Sequence, residues 1–105
     1  MTMLIVEKDI ELFLKKRVEH IGGRCLKFPA TFEEGIPDRL VILPPGRIAF
    51  VELKRPKGGR LSKIQKYQIA KLKDLGCRVY VVKNYEEVDR MLEEMTNEEP
   101  SMRPL

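Results

Sequence analysis

The stretch Arg47-Ile48-Ala49-Phe50-Val51-Glu52-Leu53-Lys54 decides how this chain folds. Its middle, Ile48 to Val51, is wholly apolar, as expected of a central strand covered on both faces. Side chains alternate across a strand, so Ile48, Phe50, Glu52 and Lys54 share one side while Ala49, Val51 and Leu53 share the other. A carboxylate and an ammonium therefore leave one side of an otherwise apolar strand. Buried there, they are costly unless they pair or bind an ion. A strand-end ion pair at the sheet rim is the simple reading, and an ion-binding site is the other.

Upstream, Arg39–Leu43 reads as a second strand, entered through Pro37 and closed by the turn Pro44-Pro45-Gly46. Before it, Arg24–Phe28 is a short strand leading into Pro29 and a polar loop through Gly35. Glu7 to Ile21 carries Ile10, Phe13, Leu14, Val18 and Ile21 at helical spacing, and Gly22-Gly23 stops it. Downstream, Arg55–Arg60 is a basic loop containing glycine. Ser62 then opens a second helix to about Leu75, with Gln65, Gln68, Ile64, Leu72 and Leu75 toward its apolar side. Arg78–Val82 is a further strand, and Asn84 caps a last helix with Val88, Met91, Leu92 and Met95. The order α-β-β-β-α-β-α predicts a mixed α/β layer fold, with a three-strand run extended by a helix-linked fourth strand. Residues 1–95 form the expected domain and 96–105, with Pro100 and Pro104, a frayed tail.

Length and composition agree with one domain of 105 residues. No apolar run approaches the roughly 20 residues that span a bilayer, and the first six residues do not read as a signal peptide. Cys25 and Cys77 lack metal-ligand spacing, which fits reduced thiols in a cytoplasmic protein and excludes a zinc site. The net charge of +4 hides an asymmetry. Glu86 to Glu99 holds seven of the sixteen acids, and residues 1–85 carry a net +9. A basic body followed by an acidic stretch fits a polyanion-binding protein.

The segment Gly35-Ile36-Pro37-Asp38-Arg39 sets an acid behind a proline at the mouth of a strand. Asp38 is either a turn residue or, one short hairpin from Glu52, its neighbour on the adjacent strand. Two carboxylates so close repel unless a divalent cation lies between them, and Mg²⁺ suits one or two carboxylates with water and phosphate oxygens. At 100° per residue, Glu7 lies roughly 20° from Leu14 and Val18 on the helical wheel, on the apolar stripe, while Glu11 turns to its rim. Glu7 is thus a third candidate ligand, or else an N-terminal acid favoured by the helix dipole. Gln65 stands three residues after Ser62, as in a capping box. It could instead orient Lys54, water or a phosphate, and one amide is not expected to fill both roles fully. Arg55, Lys57, Arg60, Lys63 and Lys66 are either a solvated face or contacts to DNA phosphates. Aromatic interleaving there is limited to Tyr67, so stacking on bases is not suggested.

Taken in order, Glu7, Gly35-Ile36-Pro37-Asp38-Arg39, Phe50-Val51-Glu52-Leu53-Lys54 and Leu61-Ser62-x-x-Gln65 resemble the VRR-NUC domain of the PD-(D/E)XK, or restriction-endonuclease-like, nucleases. The resemblance runs from about Glu7 to Val82. It implies a restriction-endonuclease-like core in which Asp38 and Glu52, helped by the Leu53 carbonyl and completed by Glu7, bind Mg²⁺ or Mn²⁺. Lys54 would orient or help deprotonate the attacking water. The stand-alone phage and bacterial members resemble Holliday-junction resolvases and act as homodimers, which implies branched DNA and a second copy as partners and the host cytoplasm as location. Apolar residues of the last helix, notably Met91 and Met95, are candidates for the dimer surface. A nickase or flap/exonuclease, and a noncatalytic DNA-binding subunit, are the alternatives.

Overall fold

Three antiparallel strands and one parallel strand form a single sheet in the order β1-β2-β3-β4 in the computed structural model, which describes residues 4–97. The elements are α1 (Glu7–His20), β1 (Arg24–Lys27), β2 (Arg39–Leu43), β3 (Arg47–Leu53), α2 (Lys63–Asp74), β4 (Val79–Val82) and α3 (Tyr85–Thr96). This is the predicted order. The tail expected at 96–105 overlaps α3 at Thr96, and beyond Asn97 it lies outside the described residues.

Register fixes which side chains share a face. β2 and β3 pair antiparallel with Arg39 opposite Val51 and Leu40 opposite Phe50. β3 and β4 pair parallel with Glu52 beside Val81, α2 supplying the crossover that a parallel pair needs. On one face Val41, Leu43, Ala49, Val51, Leu53 and Val82 meet Ile10, Leu14 and Val18 of α1 and Val88, Met91, Leu92 and Met95 of α3 in one buried core. Each of these side chains larger than Ala49 contributes about 1.5–3 kcal/mol by burial.

Met91 and Met95 therefore do not form a dimer surface. They are sealed inside the monomer at 2% and 0% exposure, because the apolar stripe of α3 is spent on the sheet and on α1. The cover expected on both faces of β3 also needs correction. Its second face is closed only at the Glu52 end, where α2 lies, and Ile48 is 51% exposed. α2 itself sits lightly on the sheet: Ile69 is its buried residue, and Leu75, expected on its inner side, is exposed. Both cysteines are free thiols, Cys25 buried and Cys77 half-buried.

Two glycines shape the loops beside the open face. Gly35 has φ +82°, and a Cβ there would lie 2.7 Å from the Ile64 carbonyl oxygen, so the loop before β2 rests directly on α2. Gln68 fastens the same contact by donating to the Glu34 carbonyl at 3.1 Å. Gly59 plays the equivalent part after β3, where a Cβ would come within 2.6 Å of the Arg55 carbonyl oxygen and 3.0 Å of Lys54 Cβ.

Candidate active site

The antiparallel register of β2 and β3, carried one residue past Arg39–Val51, sets Asp38 opposite Glu52 on the face beneath α2. Proline at 37 keeps this entry extended. Asp38 Oδ2 accepts the Leu53 backbone N–H at 2.9 Å, so the acid is tied to β3 and its other oxygen stays available. Glu52 is buried at 2% exposure. Its Oε2 accepts from Lys54 Nζ at 3.2 Å and from Gln65 Nε2 at 3.0 Å. Its Oε1 is buried without a hydrogen-bond partner.

Burial pushes the Glu52 carboxyl up to about 7, the negative charge of Asp38 adds to the rise, and Lys54 pulls against it. A hydrogen bond shared with Asp38 raises it further. When both groups are ionised, however, neither can donate, and Oε1 stays without a donor. A proton or a cation between the two carboxylates resolves that conflict.

Gln65 closes the capping box weighed for it and, in place of Lys54, water or a phosphate, its side-chain amine meets Glu52. Gln65 Oε1 accepts the Ser62 N–H at 2.9 Å and its backbone N–H donates to Ser62 Oγ at 3.2 Å, a complete capping box. The Nε2 end remains for Glu52. Carbonyl and amine act separately, so the expected conflict does not arise.

α1 brings Glu7 toward the same place. The residue is exposed, yet partial burial of its carboxyl and the charge of Asp38 push it above its ordinary value, with Lys54 and Arg55 opposing. Glu11 is committed elsewhere: its Oε2 accepts from Arg39 Nε at 3.1 Å, and Arg39 also donates to the Cys25 carbonyl at 3.3 Å. Arg39 thus locks α1 to β1 and β2, which positions the first turn of α1 over Asp38. Sequence reading passed over this arginine, although alternation places it on the core face beside Val51, where a charge needs a partner. Gly59 was missed too, and so was a stack of Phe28, Phe32 and Phe50 rings beside Asp38. Arg55, Lys57, Arg60, Lys63 and Lys66 are all exposed, on the loop after β3 and the first turns of α2.

Residues 6–85 match the family model for the VRR-NUC domain. The chain belongs to the VRR-NUC family. A protein named "Putative nuclease p44", from Acyrthosiphon pisum secondary endosymbiont phage 1, is 44% identical over 79 residues, which cover 75% of this chain and 84% of that one. A solved structure described as a VRR_NUC domain matches with a TM-score of 0.76 at 33% identity, over 83% of this chain and 94% of its own. The VRR-NUC domain is a nuclease domain, so the chain is a nuclease. Among the described residues no helix is long and apolar enough to cross a membrane.

Whether this VRR-NUC site suits a divalent cation depends on the donors present. Among the described residues no three His, Cys, Asp or Glu side chains converge as a ready-made cage. Mg²⁺ does not require one, since it keeps several waters and takes one or two carboxylates with substrate phosphate. The orphaned Glu52 Oε1 and the uncommitted oxygen of Asp38 fit that demand. Leu53 meets Asp38 through its backbone N–H, which donates to Oδ2.

Proposed function

We propose that this nuclease is a metal-dependent endodeoxyribonuclease that hydrolyses phosphodiester bonds in branched DNA, with the four-way junction as its substrate and a homodimer as its working form. The observation that carries the reading is the buried, partnerless Oε1 of Glu52 opposite Asp38, with Lys54 on the same strand face. Asp38 and Glu52 would hold Mg²⁺ or Mn²⁺, with Glu7 and the Leu53 carbonyl as further ligands. When bound, the cation supplies Lewis-acid polarisation of the phosphoryl oxygen and a lowered pKa for its water.

The chain's own residues do the rest. Gln65 and Lys54 hold one oxygen of Glu52, which directs the other to the ligand position. The Lys54 ammonium, 3.2 Å from Glu52 Oε2, would orient the attacking water and offset charge developing on the phosphate. Arg55, Lys57, Arg60, Lys63 and Lys66 offer sequence-independent phosphate contacts. One domain carries one site, so paired cuts in a junction require two copies related by symmetry. The unbonded cysteines suit a reducing host cytoplasm.

Labelled four-way junction, flap, nicked and linear duplex DNA, each incubated with Mg²⁺, Mn²⁺ or EDTA, test this. Metal-dependent paired nicks at the junction are expected, lost in Glu52→Ala and Lys54→Ala. Cutting in EDTA, or full activity in both variants, sinks the mechanism. Preference for flaps or nicks would replace the substrate and leave the chemistry. Tight binding without cleavage would make the chain a noncatalytic DNA-binding subunit.

A further inference from the structure

The register that sets Asp38 opposite Glu52 sets Phe28 on the other side of Asp38. Lys27 pairs with Arg39, so Phe28 follows beside Asp38, and the Phe28 N–H donates to the Asp38 carbonyl at 3.4 Å. Phe28, Asp38, Glu52 and Val81 therefore form one row across the same face of the sheet. From that row a stack of rings rises. Phe28 lies between Phe50, 6.0 Å away, and Phe32, 5.0 Å away, both at an interplanar angle of 15°. Phe32 ends the stack and is 52% exposed. It borders a groove of about 350 Å³ that also runs along Phe28, Pro37 and Asp38.

A half-exposed phenyl ring is costly to leave in water when its own loop could bury it. This ring stacks on Phe28, which in turn stacks on Phe50. Glu33 and Glu34 follow it in the loop and are exposed, so the loop repels a phosphate backbone while the ring still accepts an uncharged aromatic plane. The exposed basic side chains that suit phosphate lie elsewhere, on the loop after β3.

We propose that Phe32 is a stacking platform for a nucleobase displaced from its helix beside the Asp38–Glu52 site. This rests on the nuclease reading and adds a reason for branched or frayed DNA to be preferred over continuous duplex. Only an unstacked base offers a free face, and base–aromatic stacking tolerates any sequence.

The chain has no tryptophan and three tyrosines, so Phe32→Trp places its one indole, excited selectively beyond tyrosine absorption, at the platform. The full chain, with Ca²⁺ in place of Mg²⁺, is titrated with a fork carrying unpaired bases and with a continuous duplex of equal length. Phe32→Leu, which keeps apolar packing on Phe28, is expected to weaken fork binding at least about fivefold and to leave duplex binding unchanged. Phe32→Trp is expected to bind forks like the wild type, its emission quenched by the fork and not by the duplex. A wild-type fork-to-duplex ratio in Phe32→Leu, or Phe32→Trp emission indifferent to the fork, overturns the proposal. Wild-type cleavage of the same DNAs in Mg²⁺ is measured in parallel. Cleavage without the stacking signals removes the platform alone, and absence of both binding and cleavage removes the nuclease reading with it.

Discussion

Gln65 and Glu52 are joined by one hydrogen bond, Nε2 to Oε2 at 3.0 Å, made by the same amide that closes the capping box of α2. The start of the helix and the buried acid are therefore one mechanical unit. Gln65→Glu keeps an acceptor for the Ser62 N–H but turns an acceptor toward Glu52. The added carboxylate repels Glu52, so Tm should fall in the absence of metal, and activity should fall about 10- to 100-fold, the usual cost of losing a group that orients a metal ligand. Gln65→Ala should lower both. Equal activity in the wild type and Gln65→Glu would show that the contact is only a helix cap.

Glu7 and Glu11 separate function from stability. Glu11 is the partner of a nearly buried arginine, at 20% and 11% side-chain exposure, and breaking such a pair strands a charge. Glu11→Gln should cost about 2 kcal/mol of stability, read by chemical denaturation, with activity retained at low temperature. Glu7 has no such role, so Glu7→Gln should unfold like the wild type and lose metal-dependent cutting. The reverse pattern would assign the ligand to the wrong turn of α1.

Helix and strand identities were legible because apolar spacing, prolines and caps act over a few residues. β2 is read residue for residue, and every other end within about two residues. Local patterns carry no information about which rings meet across strands. Phe28, Phe32 and Phe50 are dispersed over 23 positions of sequence and gather only through the register of three strands, so a stack beside Asp38 forms outside the basic stretch, where Tyr67 alone interrupts the charges. Met91 and Met95 were misplaced for a related reason. Periodicity shows that a helix has an apolar stripe, and it cannot tell a stripe that meets its own sheet from one that meets another molecule. Asp38, Glu52 and Lys54 were readable because strand alternation alone links two of them and a short hairpin brings the third.

The Glu52 carboxyl makes stability depend on pH in a direction opposite to that of an ordinary paired acid. Its folded value of about 7 lies above the ordinary 4.5, so in that interval the folded chain keeps a proton that the unfolded chain has released. Raising the pH through this window therefore favours unfolding, and the stabilisation present below 4.5 is lost as pH passes about 7. Without metal, Tm should fall from about pH 5 to about pH 8, and Glu52→Gln should flatten the slope. A cation must displace that proton, so Mg²⁺ should raise Tm more at about pH 8 than at about pH 5. Parallel thermal curves in EDTA and Mg²⁺ check both signs. A wild type whose stability rises through the window would mean that Glu52 is ionised in the folded chain.

Gly59 offers the sharpest test of how the loop after β3 serves Lys54. A methyl group at this position would meet the Arg55 carbonyl oxygen at 2.6 Å and Lys54 Cβ at 3.0 Å, and neither can yield without moving the end of β3. The Arg55 backbone must shift, and the Lys54 ammonium, now 3.2 Å from Glu52 Oε2, shifts with it. Displacing a reacting group by about 1 Å costs on the order of 10²-fold in rate, so Gly59→Ala should lose that much in kcat. Arg55, Lys57 and Arg60 stay exposed to solvent in either case, so affinity for duplex should change by less than about threefold. Gly58→Ala is the control for backbone freedom: Gly58 has φ +79°, yet its Cβ would approach only the Arg55 guanidinium, at 3.5 Å. It should lower stability with a smaller effect on kcat. If both variants lose kcat equally, the loop acts through its flexibility; if only Gly59→Ala does, it acts by holding Lys54 in place.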